Sequence, residues 1–242
     1  MNRAAVDSTS STSTAWIVEA TSTELARARV EQVGGEVTHE LEVISAVAAR
    51  LDAGQHRRLI ELDPSLRIVR DAAVTLSTTG SGASAETDRA AVPAKIGADT
   101  LHAQGIRGQG ITVAVLDTGL WNHEALLENT LGAGRLLAHY DARNDQLMSE
   151  PSDENGHGTH VTGILASSDT TSDARFHGVA PNVDLVTVAA FDRAGQATYA
   201  DVIRGLDWIV THRALYDIRV LALAFSAPTH LPYWQDPLAR AV

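Results

Sequence analysis

The apolar run Ile111–Leu116 (ITVAVL) constrains the fold more than any other part of this sequence. Strands that are apolar along their whole length are typical of parallel sheets, because helices cover both faces of such sheets. Asp117 follows the run directly. Its carboxylate is therefore expected at the carboxyl end of a buried strand, where the sites of open α/β sheets assemble. The alternative is that Asp117 serves only as a turn or capping residue.

Residues 93–242 continue this alternation of apolar strands and helical patterns. Three further segments are predicted to be strands: Arg135–Tyr140, Val183–Ala189 and Ile218–Phe225. Thr198 and Asp201 have the spacing of a capping box, in which each side chain satisfies a free backbone N–H at a helix start. This order of elements predicts an α/β fold with a doubly wound parallel sheet.

Residues 15–76 have a different pattern, which predicts a separate small α+β domain. Capping boxes at Thr21 with Glu24 and at Asp52 with Gln55 indicate two helices. The predicted strands around them are Ala15–Ala20, Val37–Val43, Ala46–Leu51 and Leu66–Leu76. The order β-α-β-β-α-β predicts a ferredoxin-like unit. Residues 1–14 are rich in Ser and Thr and are expected to be disordered, and the small, polar residues 77–92 are expected to form a linker.

Composition narrows the partners of the chain. The 242 residues carry a net charge of -11 and show no cluster of Lys or Arg, so nucleic acids and anionic membranes are not expected partners. There is no Cys, which excludes disulfides and thiolate metal sites. No apolar run reaches the roughly 18 residues that span a bilayer, and the N-terminus shows no signal peptide. We also expect no cofactor.

His157, in the segment NGHGTHVTG, is a second candidate for chemistry. Glycines flank it, and the apolar residues Val161, Ile164 and Leu165 indicate that a helix begins there. The positive end of a helix dipole favours the neutral imidazole, which can act as a base. An ordinary histidine at a helix start is one alternative. A metal site with His160 is another, but no third ligand lies nearby, so we predict no metal.

Three motifs together resemble the subtilisin-like (subtilase) serine proteases. They are LDTG after the buried strand, GHGTHVTG 40 residues later (157 − 117 = 40), and GVAP at Gly178–Pro181. The resemblance covers nearly the whole chain. Residues 15–76 are similar to the propeptide of the family, which acts as an intramolecular chaperone and inhibitor. Residues 93–242 are similar to the N-terminal part of its catalytic domain.

The resemblance implies roles for matching residues. Asp117 would orient His157, and His157 would be the general base that takes a proton from a serine. His160 would be structural. Two segments would pair with an extended peptide substrate, Arg193, Ala194 and Gly195 on one side and Ala224, Phe225 and Ser226 on the other. The implied partners are protein or peptide substrates and the propeptide, and the family implies an extracellular location.

The sequence departs from the family pattern in two respects. It has no Gly-Thr-Ser motif for the nucleophile and no counterpart of the oxyanion Asn. We therefore expect a catalytic domain that is truncated at its C-terminus and inactive by itself. Leu126 stands where many subtilases have an Asp that binds calcium, so that tight calcium site is not expected.

Other functions remain open at this point. Leu-Asp-Thr-Gly is also the signature of aspartic proteases, but these need two carboxylates that share a proton, and the chain has one such motif. A pseudoprotease that only binds peptides is a second alternative. A third is a non-catalytic module in which residues 15–76 act as an inhibitor or chaperone.

Overall fold

The computed structural model describes residues 13–76, 91–227 and 231–242. The chain divides into two compact units, and the boundary lies between Asp71 and Ala72. The predicted disordered N-terminus lies outside the described residues except for its last two positions. Most of the predicted linker, residues 77–90, also lies outside them.

The first unit has the predicted order of elements. These are β1 (Thr14–Glu19), α1 (Thr23–Gln32), β2 (Glu36–Leu41), β3 (Ala46–Leu51), α2 (Ala53–Leu62) and β4 (Arg67–Arg70), with a short 3-10 turn at Glu42–Ile44. The strands form an antiparallel sheet in the order β2-β3-β1-β4. Val18, Val47 and Leu51 on the sheet pack with Val30 and Leu59 on the helices in one buried cluster. Because successive side chains of a strand point to opposite faces of the sheet, every second side chain of these strands points into this core.

The two helix starts of this unit show how far cap patterns can be read from sequence. Asp52 accepts hydrogen bonds from the backbone N–H groups of Gly54 and Gln55, and the Gln55 side chain returns one to Asp52, as predicted. The first helix is capped by Ser22, whose hydroxyl accepts from the N–H of Leu25. The box predicted at Thr21 is wrong by one residue, because adjacent hydroxyl side chains offer the same cap.

The second unit contains the remaining elements. Its strands are β5 (Ala73–Leu76), β6 (Thr112–Asp117), β7 (Leu136–Asp141), β8 (Gln146–Met148), β9 (Asp184–Ala189), β10 (Gln196–Thr198), β11 (Ile218–Leu223) and β12 (Phe225–Ser226). Its helices are α3 (Ala91–Ile96), α4 (Ala98–Ala103), α5 (Glu124–Leu127), α6 (His157–Ala166), α7 (Tyr199–His212) and α8 (Pro237–Ala241).

The large sheet of this unit has the order β11-β6-β9-β7-β8. Its first four strands are parallel, as predicted, while β8 pairs antiparallel with β7. The sheet is therefore mixed rather than wholly parallel, because a short connection returns the chain beside β7 and a parallel neighbour would need a long crossover. Val113 and Val115 of β6 pack with Ala166 of α6. Leu116 lies against Gly205 of α7, so helices cover both faces.

A third sheet has three strands in the order β10-β5-β12. Strand β5 lies in the middle and is antiparallel to both neighbours. The single strand predicted at Leu66–Leu76 is therefore wrong. It is two strands, and the second belongs to the other unit because its neighbours are Gln196–Thr198 and Phe225–Ser226. Such long-range pairing leaves no local signal in sequence.

Across the part of the chain that the structure describes, no helix has both the length and the apolar character needed to cross a bilayer.

Candidate active site

Asp117 and His157 meet at the carboxyl edge of the large sheet. Asp117 is the last residue of β6 and His157 the first of α6. Nδ1 of His157 donates to Oδ1 of Asp117 at 2.7 Å. The Asp117 side chain is fully buried and that of His157 is 21% exposed. Since a carboxylate only accepts, Nδ1 carries the hydrogen and Nε2 of the neutral ring is left as an acceptor.

A second hydrogen bond holds the carboxylate in place. Oδ1 of Asp117 also accepts from the backbone N–H of Thr118 at 2.7 Å. Within the described residues, Oδ2 of Asp117 is buried and has no hydrogen-bond partner. Nε2 of His157 has none in that same part of the chain. The pair can therefore take up a proton at Nε2, with a buried negative charge placed to stabilise the resulting imidazolium.

Glycines allow the end of β6 and the start of α6 to approach this closely. The N–H of Gly158 donates to Oγ1 of Thr118 at 2.8 Å, and the N–H of Trp121 donates to Oγ1 of Thr159 at 2.9 Å. A Cβ added to Gly158 would lie 2.4 Å from the carbonyl oxygen of Gly119. The residue after His157 must therefore be glycine for the histidine to reach the aspartate.

We expect Gly158→Ala to lower the free energy of unfolding by about 1–3 kcal/mol, because backbone atoms on the facing segment cannot move aside as a flexible side chain could. Gly163→Ala is the matched control in the same helix. Nothing lies within 4 Å of its added Cβ, so it should stabilise the helix by about 0.5–1 kcal/mol. Urea denaturation measures both changes, and equal effects of the two substitutions would contradict this account.

Asp153 orders the turn that leads into α6. Its Oδ1 accepts from the N–H of Gly156 at 2.8 Å, and its Oδ2 accepts from the N–H and the hydroxyl of Thr159 at 2.9 and 2.6 Å. Burial by itself would raise the pKa of Asp153, but these hydrogen bonds outweigh it and the pKa lies below its ordinary value. The carboxylate therefore stays ionised and holds the turn after which α6 begins at His157.

A cavity of about 230 Å³ lies beside Thr118. His139 lines it and is buried, with its Nδ1 2.7 Å from Oγ1 of Thr187. Its Nε2 accepts from the N–H of Ser152 at 3.4 Å, so Nδ1 is the nitrogen that donates. Burial lowers the pKa of His139, although the charges of Asp141 and Asp153 oppose this. The ring is therefore neutral at neutral pH and supports the loop that carries Asp153.

This buried neutral histidine should make stability depend on pH. As pH falls below about 6.5, the unfolded chain binds a proton at His139 before the folded chain does, so the free energy of unfolding decreases. The slope from this group is at most about 1.4 kcal/mol per pH unit. His139→Gln should remove that part of the slope below pH 6.5, as denaturation at several pH values would reveal. Parallel curves for the two proteins would refute this.

Of the two predicted peptide-binding segments, one contributes an edge beside β5 and the other lies in the turn before the opposite edge. Phe225 and Ser226 form β12 and pair with Leu76 and Thr75, while Ala224 immediately precedes that strand. On the other side, the residues that pair are Gln196–Thr198 rather than Arg193, Ala194 and Gly195. Arg193 and Ala194 lie in the preceding turn, where the Arg193 carbonyl accepts from Nδ2 of Asn155 at 3.0 Å.

Sequence reasoning missed β10 and did not separate β5, which lies between the two edges, from β4. Val74 pairs with Ala197, and the neighbouring pairs are Ala73 with Thr198 and Thr75 with Gln196. Val74 and Leu76 are buried, whereas Ala73 and Thr75 are exposed. This alternation of apolar side chains is typical of a half-buried strand, but nothing local could have named its partners.

The remaining candidates concern metals. His160 is exposed on α6, and Leu126 is buried in α5. In the three described stretches, no group of three His, Asp, Glu or Cys side chains could hold a metal ion.

Comparison with known proteins places this geometry in a family. The model of the subtilase family of peptidases matches residues 108–232, which include Asp117, His157 and both edges beside β5. This chain belongs to the subtilase family. Among curated relatives, serine protease AprX of Bacillus subtilis is 36% identical over 146 residues, which cover 58% of this chain and 31% of AprX.

Other relatives agree with this assignment. A thermostable alkaline protease of Halalkalibacterium halodurans is 33% identical over 183 residues, 73% of this subtilase and 43% of that protein. The chain thus spans less than half the length of these relatives. Among solved structures, fervidolysin of Fervidobacterium pennivorans has a TM-score of 0.66 at 19% identity, and it matches 95% of this chain and 37% of its own. At that identity the likeness shows the fold alone, which is the subtilase fold.

Proposed function

We propose that this chain supplies the general base of a subtilisin-like serine endopeptidase, His157, and the aspartate that orients it, Asp117. The observation that carries the proposal is the 2.7 Å bond between a buried carboxylate at a strand end and an imidazole at a helix start. In this reaction Nε2 of His157 takes the proton of a serine hydroxyl and returns it to the leaving amine, and Asp117 holds the tautomer and stabilises the imidazolium.

The substrate would bind as an extended strand between β10 and β12. Main-chain hydrogen bonds to two edges give affinity for many sequences, and pockets for alternate side chains give selectivity. Strand β5 supports this, since it is an extended segment that already pairs with both edges. In this proposal Gly195, Phe225 and Ser226 contact substrate, and Arg193, Ala194 and Ala224 shape the neighbouring turns.

The first unit would be the propeptide of this enzyme. Its β-α-β-β-α-β order and the sheet order β2-β3-β1-β4 support a ferredoxin-like domain. With β5 between the two edges, a substrate could not pair there, so the chain would keep itself inhibited. Export from the cell is part of the proposal, supported by relatives that are alkaline proteases.

The nucleophile would come from residues beyond the 242 present here. No serine in the described residues contacts Nε2 of His157, and the relatives are more than twice as long as the matched part of this chain. The 242-residue chain should therefore not hydrolyse peptides.

The decisive experiment extends the coding sequence in frame beyond the codon for Val242. The extended protein should hydrolyse a chromogenic peptide and lose that activity on treatment with a sulfonyl fluoride, whereas residues 1–242 should show none. A natural stop codon after Val242 would overturn the proposal, as would an extended protein that binds peptides without cleaving them, which is the pseudoprotease alternative. Cleavage by residues 1–242 alone would show that the nucleophile lies within them.

A further inference from the structure

A second cavity, of about 210 Å³, lies between the helices α3 and α4 and the loop that follows α6. It shares no residue with the cavity beside Thr118. Its apolar walls are Pro93, Ala103, Ala174 and Phe176, and charged side chains complete its lining. Small-molecule sites are usually concave and apolar, with a few polar groups that fix the orientation of the ligand.

The guanidinium of Arg107 lines this cavity without a partner. In the part of the chain that the structure describes, its Nε is buried and has no hydrogen-bond partner, and no carboxylate forms an ion pair with it. A buried N–H group that lacks an acceptor costs free energy, and the cost is larger when the group is charged. A ligand that brings an acceptor to Arg107 would remove that cost.

Arg107 is held in position at its backbone and at its side chain. Its backbone N–H donates to Oε1 of Gln109 at 3.0 Å, and its carbonyl oxygen accepts from the N–H of Asn182 at 2.9 Å. Its Cζ lies over the ring of Phe176, 4.8 Å from the ring centre. The guanidinium is therefore placed before any ligand arrives, which lowers the entropy that binding costs.

Phe176 gives the cavity a flat apolar wall that is itself fixed. Its ring meets the ring of His102 edge to face, with the two centres 5.4 Å apart. Nε2 of His102 lies 2.9 Å from the carbonyl oxygen of Val179 and therefore donates to it. The His102 side chain thus fastens α4 to the segment after α6 and supports the wall behind Arg107.

The other charges of the cavity limit the charge of a ligand. Arg175 lines the cavity, but its Nε donates to the carboxylate of Asp173 at 2.8 Å, so its charge is already matched. Asp99 also lines the cavity, and it is an exposed carboxylate that accepts from the N–H of Thr100 at 2.9 Å. It would repel a dianion more strongly than a single negative charge. A carboxylate fits these conditions, because it can accept two parallel hydrogen bonds from one guanidinium.

We propose that this cavity binds small carboxylates with a flat apolar body, which pair with Arg107 and pack beside Phe176. The site is distinct from the proposed peptidase chemistry, since it uses neither Asp117 nor His157 nor the groove around β5. A bound ligand would connect residues 93–107 to residues 174–176.

NMR titration of the 15N-labelled 242-residue chain with benzoate tests the site. Benzoate should bind with a Kd of about 1 mM and shift the amide signals of residues 99–107 and 174–176. Benzamide has the same shape without the charge and should bind at least about tenfold more weakly. Acetate lacks the apolar body and should also bind at least about tenfold more weakly. Phenyl phosphate, a dianion at about pH 8, should bind more weakly than benzoate because of Asp99.

Three outcomes would overturn this assignment. They are an absence of saturable shifts with benzoate up to about 10 mM, equal binding of benzamide and benzoate, and tighter binding of phenyl phosphate than of benzoate. This comparison needs no substitution, so it decides the assignment even if variants of Arg107 fold poorly. It also needs no turnover, so it is independent of whether the extended protein cleaves peptides.

Variants locate the charge that the carboxylate meets. Arg107→Gln should weaken benzoate binding by at least about tenfold, because it removes the cation and keeps a neutral donor. Arg107→Lys keeps the charge but cannot make two parallel hydrogen bonds, so its affinity should fall between the two. Arg219→Gln is the matched control, because the Arg219 side chain is 61% exposed and lies on β11, and it should leave the Kd unchanged. An unchanged Kd in a folded Arg107→Gln protein would overturn the role of Arg107.

Discussion

Arg135→Met is expected to lower the free energy of unfolding by roughly 3–5 kcal/mol, since each hydrogen bond from a charged group contributes about 1.5–3 kcal/mol. The Arg135 side chain is 1% exposed. Its guanidinium donates to the carbonyl oxygens of Leu126, Pro181 and Ala125 at 2.9, 2.8 and 2.6 Å. One side chain thus joins α5, the segment before β9 and the start of β7.

The charge of Arg135 matters as well as its shape. Burial lowers its pKa to about 10, with the charge of Asp184 acting in the opposite direction, so it remains a cation at neutral pH. Methionine fills much of the same volume but leaves the buried carbonyl oxygens of Leu126 and Pro181 without the donor that Arg135 supplies. The carbonyl oxygen of Ala125 still accepts from the N–H and the hydroxyl of Ser168. Leu126 is also the position at which no calcium ligand was expected.

Urea denaturation followed by circular dichroism measures this change. Arg219→Met is the matched control, because the Arg219 side chain is 61% exposed and its ion pair with Asp217 is 3.9 Å long. Exposed pairs of this kind contribute about 0–1 kcal/mol. Arg135→Lys keeps the charge but cannot reach three acceptors, so it should fall between the two. A loss below about 1 kcal/mol for Arg135→Met would show that the three hydrogen bonds do not hold these segments together.

The second large effect concerns catalysis in the extended protein. Asp117→Asn should lower kcat by about 10⁴, as this change typically does in serine protease triads. The amide nitrogen of asparagine can donate to Nδ1, which stabilises the tautomer with its hydrogen on Nε2. That tautomer cannot accept the proton of the serine, although the 2.7 Å geometry is kept.

Steady-state hydrolysis of a chromogenic peptide measures this loss. Asp217→Asn is the control, since its side chain is 73% exposed and Asp217 lies at the start of β11 rather than beside His157. It should leave kcat unchanged within about twofold. Substitutions of exposed residues far from the core and the active site usually change the free energy of unfolding by less than about 0.5 kcal/mol. If Asp117→Asn kept activity within tenfold of the unsubstituted enzyme, Asp117 would not be the residue that orients the base.

Local patterns predicted most of the second unit correctly. The apolar runs located four strands of the large sheet to within two residues. Strand β6 is buried along its whole length, as such a run predicts, whereas β11 at the edge of the sheet is largely exposed. The capping box at Thr198 and Asp201 is present at the start of α7. Strand β8 was missed, since an edge strand with the exposed residues Gln146 and Leu147 carries no such pattern.

The sequence by itself determined the family and the elements that carry Asp117 and His157. Each of these depends on residues close together in the chain or on a motif with fixed spacing. Only the tertiary structure decided that Gln196–Thr198 forms one edge of the groove, that Ala73–Leu76 lies within it, and that Gly195 faces Leu76. The physical reason is that backbone hydrogen bonds between strands do not depend on side-chain identity, so the sequence of one strand does not specify its partner.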